Sequence, residues 1–166
     1  MRLVLFFLFT VAVHAATFTG KVVGVSDGDT ITVLTPANES VKVRLYGIDA
    51  PEAKQAFGSR AKQALSILVF GKEVVVEVQN KDRYGRTVGR ISADGLPVNV
   101  EMVRRGLAWW YRDYAKQNME LAAAQAEAQN AKRGLWVDKR PIPPWEFRRS
   151  ESASRATKKA ASEAAR

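Results

Sequence analysis

The chain has 166 residues, 46% of them hydrophobic and 26% charged, the balance of one folded domain with a short appendage rather than of a disordered chain. It carries no cysteine, which excludes a disulfide framework, a thiolate nucleophile and a cysteine zinc site. With 26 Lys+Arg against 17 Asp+Glu the net charge is +9, which suits a polyanionic partner: nucleic acid, an anionic membrane face or an acidic polysaccharide.

Residues 1–15, MRLVLFFLFTVAVHA, open with a positive start at Arg2, continue through an apolar run over 3–13 and end on small residues. That is the pattern of a secretory signal peptide, with cleavage near Ala15 or Ala16. The run is about half the roughly 20 residues a membrane anchor needs. Export to the periplasm or the medium is therefore expected, with no membrane insertion after cleavage. Cleavage would also remove His14, the one histidine. The chain that remains has neither imidazole nor thiol. Its chemistry must run on carboxylates, Lys, Arg, Tyr, hydroxyls or a hard cation.

From there the β-branched and glycine-containing stretch 17–25 predicts a bent strand, and Ser26-Asp27-Gly28-Asp29 a turn into a second strand over 30–34. After a turn over 35–40, residues 41–46 alternate as a third strand should. Residues 47–58 are irregular and broken by Pro51. Ala61, Ala64, Leu65, Leu68 and Val69 at helical spacing predict a helix over 59–70, with Ser59 as cap and Gly71 as stop. A fourth strand over 73–78, a polar turn over 80–86 and a fifth strand over 87–93 follow. Residues 98–105 and 120–132 read as two further helices. The class is α+β, mainly β: a five-stranded OB-type barrel with about three helices, an architecture that commonly grips nucleic acid. There are no internal repeats. Past Pro141 the composition turns to proline and then to Ser, Ala, Lys and Arg. The expected organisation is a signal peptide over 1–15, a domain over 16–147, and a disordered basic tail over 148–166.

Three polar clusters interrupt the strands. Asp27-Gly28-Asp29-Thr30 is what a tight turn wants, and it also supplies Asp29 as a carboxylate with little structural reason to be there. In Arg44-Leu45-Tyr46-Gly47-Ile48-Asp49-Ala50-Pro51-Glu52, two acids flank a proline just after a strand. Alternation turns Arg44 away from Val41, Val43 and Leu45, toward solvent or an anionic ligand. Asp82-Arg83-Tyr84-Gly85-Arg86 reads as a hairpin turn with a local salt bridge or as a further arginine site. Together these clusters suit phosphodiester hydrolysis. Paired aspartates with a backbone carbonyl make an all-oxygen site for Ca2+, and such an ion polarises a phosphate oxygen and orients water. A glutamate can act as general base where histidine is missing, and arginines hold phosphate oxygens through paired hydrogen bonds.

On DGDT (27–30), VRLYGIDAPE (43–52) and DRYGR (82–86), in that order, the sequence resembles the staphylococcal (thermo)nuclease family, secreted Ca2+-dependent nucleases of the OB fold. The likeness runs from about Phe18 to Trp136, and VNVEMVRRGLAWWYRDY (98–114) resembles the family's second helix and aromatic exit. The resemblance implies Asp29 and Asp49 as Ca2+ ligands with the main-chain oxygen of Ala50, and Glu52 as general base. It implies Arg44 and Arg86 on the scissile phosphate, and Tyr84 with Tyr111 or Tyr114 flanking the nucleotide. It further implies cleavage of DNA and RNA at the 5′-oxygen–phosphorus bond, leaving 3′-phosphates. The sequence carries no sign of oligomer-specific packing, so a monomer is the default expectation. Two departures stand out. Ala50 replaces the threonine of the best-known member, and the stretch between Glu52 and Ser59 lacks that member's lysine-rich loop.

Two other readings compete. A non-catalytic OB module would bind nucleic acid with the same barrel and charge, but it has no use for Asp29, Arg44, Asp49, Glu52 and Arg86 together. A basic envelope protein binding acidic glycans or lipid headgroups explains charge and export, but not that set. Trp109 and Trp110 could stack on bases, with at least one expected in the core. Trp136 and Trp145 are expected to pack near the C-terminal end. The basic tail would add salt-sensitive, sequence-independent affinity for nucleic acid.

Overall fold

A computed structural model describes residues 16–164. The signal peptide expected over 1–15 lies outside the described residues. Among them, no helix is long and apolar enough to cross a membrane.

In chain order the elements are β1 (Thr17–Val25), β2 (Thr30–Leu34), β3 (Ser40–Leu45), β4 (Ile48–Asp49), α1 (Gly58–Val69), β5 (Glu73–Lys81), β6 (Thr87–Ala93), β7 (Leu96–Pro97), α2 (Val98–Arg104), β8 (Trp109–Trp110), α3 (Met119–Asn130), a 3-10 turn (Gly134–Val137) and α4 (Pro144–Ala164). Strands β3, β2, β1, β5 and β6 pair antiparallel in that order, and β6 returns to pair parallel with β3. That closes a five-stranded mixed barrel, as the strand count predicts, and closure removes the edges that an open sheet would expose. A register shift between Val22 and Gly24 supplies part of the bend in β1. Where β1 crosses β2, a Cβ on Gly20 would run into the carbonyl of Leu34, so only glycine permits that approach.

The barrel interior is filled by the alternate residues the pattern picks out: Val22, Ile31, Val33, Val43, Leu45, Val74, Val76 and Ile91 are all buried. Helix α1 plugs one end with Ala61, Ala64, Leu65, Leu68 and Val69, the i, i+3, i+4, i+7, i+8 stripe of one helix face. It begins one residue earlier than Ser59 predicts. The cap position is Phe57, in the left-handed region at φ 68°, with no side-chain cap. The reason is packing: a Cβ on Gly58 would overlap the carbonyl of Glu52, so the chain folds back against its own loop before turning into helix. Helix α2 is pinned by the buried Asn99, whose Oδ1 accepts from Ile91 N (2.9 Å) and whose Nδ2 donates to Tyr46 O (2.9 Å) and Gly89 O (3.2 Å). That fixes the exit of β3 just ahead of the acidic segment.

Two expectations need correcting. Residues 47–58 are not wholly irregular, because β4 pairs antiparallel with β8, Ile48 opposite Trp110 and Asp49 opposite Trp109. The tail expected to be disordered from Arg148 instead continues a helix that starts at Pro144, so the described residues hold four α-helices where about three were expected. Proline at the first helical position and a run of Ala, Glu, Lys and Arg without glycine favour helix there. Docking of Trp145 ties down the first turn: its ring stacks on Tyr111, centroids 5.1 Å apart and planes 4° off parallel.

Candidate active site

The tight turn between β1 and β2 delivers Asp29 into the interior, and β4 delivers Asp49 beside it; both are buried. Arg44, near the end of β3 and opposite Thr30, spans the two. Its Nη1 donates to Asp29 Oδ1 and its Nη2 to Asp49 Oδ1, each at 2.7 Å. Asp29 also accepts from Thr30 Oγ1 (3.1 Å) and, through Oδ2, from the backbone N–H of Ala50 (2.8 Å). The DGDT turn and the IDAPE segment therefore meet through one carboxylate. Gly28 is what lets them meet, since a Cβ there would come within 2.6 Å of the Ala61 Cβ and 2.7 Å of the Ala50 Cβ.

The electrostatics follow from burial. Loss of water above all, against the pull of Arg44 and with the push of Asp27 and Asp49, leaves the Asp29 carboxyl raised to about 7. Burial works against the charge of Arg44, but Asp29 and Asp49 outweigh it and hold the guanidinium above its ordinary value. Arg44 is the one guanidinium that spans both buried carboxylates. The donors are hard oxygens with no sulfur or imidazole, which is what an alkaline-earth cation takes. Among the described residues no three or more Asp, Glu, His or Cys converge as a ready cage. Two carboxylates suit a cation that keeps several waters rather than one fully wrapped by protein.

Around this centre the other expected residues stand further out. Glu52 follows Pro51, with its side chain two-fifths exposed, and its backbone N–H donates to Gln55 Oε1 (3.1 Å). Arg86 is one residue ahead of Thr87, which pairs with Val43 beside Arg44 on the parallel β3–β6 seam. Its Nε donates to Asp82 Oδ2 at 2.7 Å, and Asp82 Oδ1 accepts from the backbone N–H groups of Tyr84 and Arg86, closing the turn. Tyr84 is exposed on that turn, with the guanidinium of Arg86 over its ring at 5.6 Å. Tyr111 and Tyr114 differ. Tyr114 is exposed, while Tyr111 is partly covered by Trp145, and burial followed by the charge of Asp49 pushes its phenol up. Tyr111 is thus the one brought toward the acidic pair. Trp109 and Trp110 are both half-buried. Trp109 meets Trp136 edge-on at 4.4 Å, and Trp110 Nε1 donates to Ala115 O at 3.0 Å.

One residue of the cluster is absent from the expected set. Arg148, on α4, donates through Nη2 to Asp49 Oδ2 (2.8 Å), and through Nη1 to Glu52 Oε1 (2.8 Å) and Asp49 Oδ1 (3.2 Å). Its position three residues after Trp145 was the available signal, since that spacing puts both on one helix face.

Residues 42–138 match the family described as staphylococcal nuclease homologue. A protein of Haemophilus influenzae described as an uncharacterized endonuclease is 46% identical over 138 residues, 83% of this chain and 77% of that protein. Another so described, from Escherichia coli O157:H7, is 46% identical over 143 residues, 86% of this chain and 92% of that protein. A micrococcal nuclease of Shigella flexneri is 43% identical over 145 residues, 81% of this chain and 83% of that protein.

Proposed function

The chain belongs to the staphylococcal nuclease homologue family and is a phosphodiester-hydrolysing nuclease, and from that premise we propose that it is an exported, Ca2+-dependent enzyme that cleaves DNA and RNA to leave 3′-phosphates. The observation that carries this reading is the pair of buried carboxylates, Asp29 and Asp49, bridged by Arg44. The residues that would hold the cation are Asp29, Asp49 and the main-chain oxygen of Ala50. When bound, it supplies polarisation of a phosphate oxygen and orientation of a water.

The side chains do the rest. Glu52, next to the acidic pair and reachable by solvent, takes the proton of the attacking water as its oxygen bonds to phosphorus. Arg44 engages Asp29 and Asp49 with one N–H from each terminal nitrogen, and a guanidinium has five N–H groups, so donors remain for a phosphate oxygen. Arg86, braced by Asp82, offers its terminal nitrogens from the adjacent strand end, and both arginines neutralise charge that builds as the 5′-oxygen departs. Tyr84 and Tyr111 flank the nucleotide. The leader over 1–15 directs export, and the folded part works as a monomer.

Digestion of plasmid and single-stranded DNA with Ca2+ and with a chelator tests the reading, with Glu52→Gln alongside. Cleavage is expected only with Ca2+, and the variant is expected to lose about 10²- to 10⁴-fold in rate. Binding without cleavage in any metal would instead favour the non-catalytic OB module. Amino-terminal sequencing of the exported protein should find a start near Ala16, and an intact Met1 would refute the leader.

A further inference from the structure

The helix that carries Arg148 begins beyond residue 138, where the family match ends. Its first turn is anchored by Trp145, stacked on Tyr111 and edge-on to Trp109 at 5.7 Å. One turn later the same face presents Arg148, which forks Asp49 and reaches Glu52. With Arg44 on Asp49 Oδ1 as well, both oxygens of Asp49 are engaged by guanidinium groups.

We propose that Arg148 is a third phosphate-binding arginine of this site, resting on Asp49 and Glu52 and passing to a backbone phosphate of the nucleic acid when a divalent cation takes those carboxylates. The proposal rests on the reading of the site as a divalent-cation nuclease. Its first support is competition: Arg44 holds Asp49 Oδ1, so the oxygen left for a cation is Oδ2, which Arg148 Nη2 occupies. The second is Glu52. Arg148 occupies Oε1, one of the two oxygens with which the base can take a proton from water, and its departure frees that oxygen. The third is reach. The side chain is 41% exposed, so leaving uncovers little, while the Trp145 stack keeps its helix in place.

What receives the guanidinium is set by the ground beside it. A groove of about 360 Å3 runs between α4 and the segment after Pro51, lined by Lys54, Arg148 and Arg155 with Glu52 and Glu151. A phosphodiester entering there offers two anionic oxygens in the geometry of the carboxylate that Arg148 gives up. A permanent structural brace is the weaker role, since the Arg148 side chain and its partner Glu52 are both two-fifths exposed, and the buried Asp49 keeps Arg44 when Arg148 leaves.

The test uses the full chain with Arg148→Gln and Arg148→Lys. Ca2+ binding is measured by calorimetry with the ion alone, and KM with a short single-stranded oligonucleotide at saturating Ca2+. Removing the competitor should tighten Ca2+ binding by about tenfold in Arg148→Gln, while KM rises by about tenfold. Arg148→Lys keeps Ca2+ affinity near wild type but still raises KM, because an ammonium does not make the paired contact. Opposite movements of the two quantities are the signature. Tighter Ca2+ with a lower KM would make Arg148 a plug and overturn the proposal. Weakening of both with a lowered unfolding midpoint would make it a brace, and no change in either would make it a bystander. If the wild-type protein neither binds Ca2+ nor cleaves with it, the nuclease reading of the site falls too, which separates that failure from the others.

Discussion

Arg44 and Arg148 both reach Asp49, one from the barrel wall and the other from a helix laid against it. Arg44 comes from a strand paired on both sides, its side chain one-fifth exposed, and it ties two carboxylates that have almost no access to water. Arg148 comes from one turn past an aromatic stack, twice as exposed, and one of its two partners, Glu52, is itself two-fifths exposed. The same chemical pair, guanidinium on carboxylate, thus does two jobs. On the barrel wall, where both carboxylates are buried, it makes burial of charge tolerable, so it is fixed. Outside, it contributes little to folding, so it is exchangeable, and exchange is what a site handling an anionic polymer requires.

The largest expected effect breaks that contrast if it fails. Arg44→Met leaves Asp29 and Asp49 without their inner partner, and removal of one member of a buried ion cluster costs about 3 kcal/mol. Arg148→Met should cost less than about 1 kcal/mol. Urea midpoints at pH 8 measure both, and equal losses would mean that the helix is as much part of the folded core as the strand.

The pH dependence of stability sharpens the point. In the fold, burial holds the Asp29 carboxyl protonated up to about pH 7, whereas in the unfolded chain it ionises near its ordinary value of 3.8. Between those limits the folded state binds more protons, so stability should fall as pH rises from about 4 to about 7. Unfolding in chelator across that range checks the slope, and Asp29→Asn should flatten it. A slope unchanged in the variant would remove Asp29 as its source. Next in size is Gly28→Ala, whose methyl group meets Ala61 and Ala50 at 2.6 and 2.7 Å. Overpacking of this kind costs about 1–3 kcal/mol. It should also shift the Ala50 backbone N–H that Asp29 accepts from, so cleavage falls along with the midpoint.

The barrel was legible because its strands alternate over five or more residues, long enough for periodicity to declare a face: Val41, Val43 and Leu45 pointed inward and Arg44 away. Asp29 and Asp49 were legible as motif residues, but not their burial nor the guanidinium fork between them, since these follow from where the β1–β2 turn lands against β4. The pairing of β4 with β8 was invisible because two residues have no period. The helical tail was misread for a different reason. Its Ala, Ser and Lys content suits either a disordered segment or a solvated helix, and what decides is Trp145 finding Tyr111. Arg148 bonds Asp49 across 99 positions of sequence, a contact that no local pattern encodes.

The smallest effect concerns the far part of α4. From Ser152 to Glu163 every side chain is exposed, and the ion pairs Arg155–Glu151 (3.4 Å) and Lys159–Glu163 (3.8 Å) lie along the helix surface. Such pairs contribute about 0.3–0.5 kcal/mol each, so deletion of residues 151–166 should leave the unfolding midpoint nearly unchanged while Trp145 and Arg148 stay docked. The deletion removes Arg155, Lys158, Lys159 and Arg166 against Glu151 and Glu163, a net charge of +2 (four minus two). Affinity for long DNA at low salt should therefore drop several-fold, with a salt dependence shallower by about one to two in log–log slope. Turnover of an oligonucleotide too short to reach past Arg148 should be spared. Equal loss on long and short substrates would mean that the distal helix belongs to the site itself, and the division between a fixed inner arginine and an exchangeable outer one would have to extend along the whole of α4.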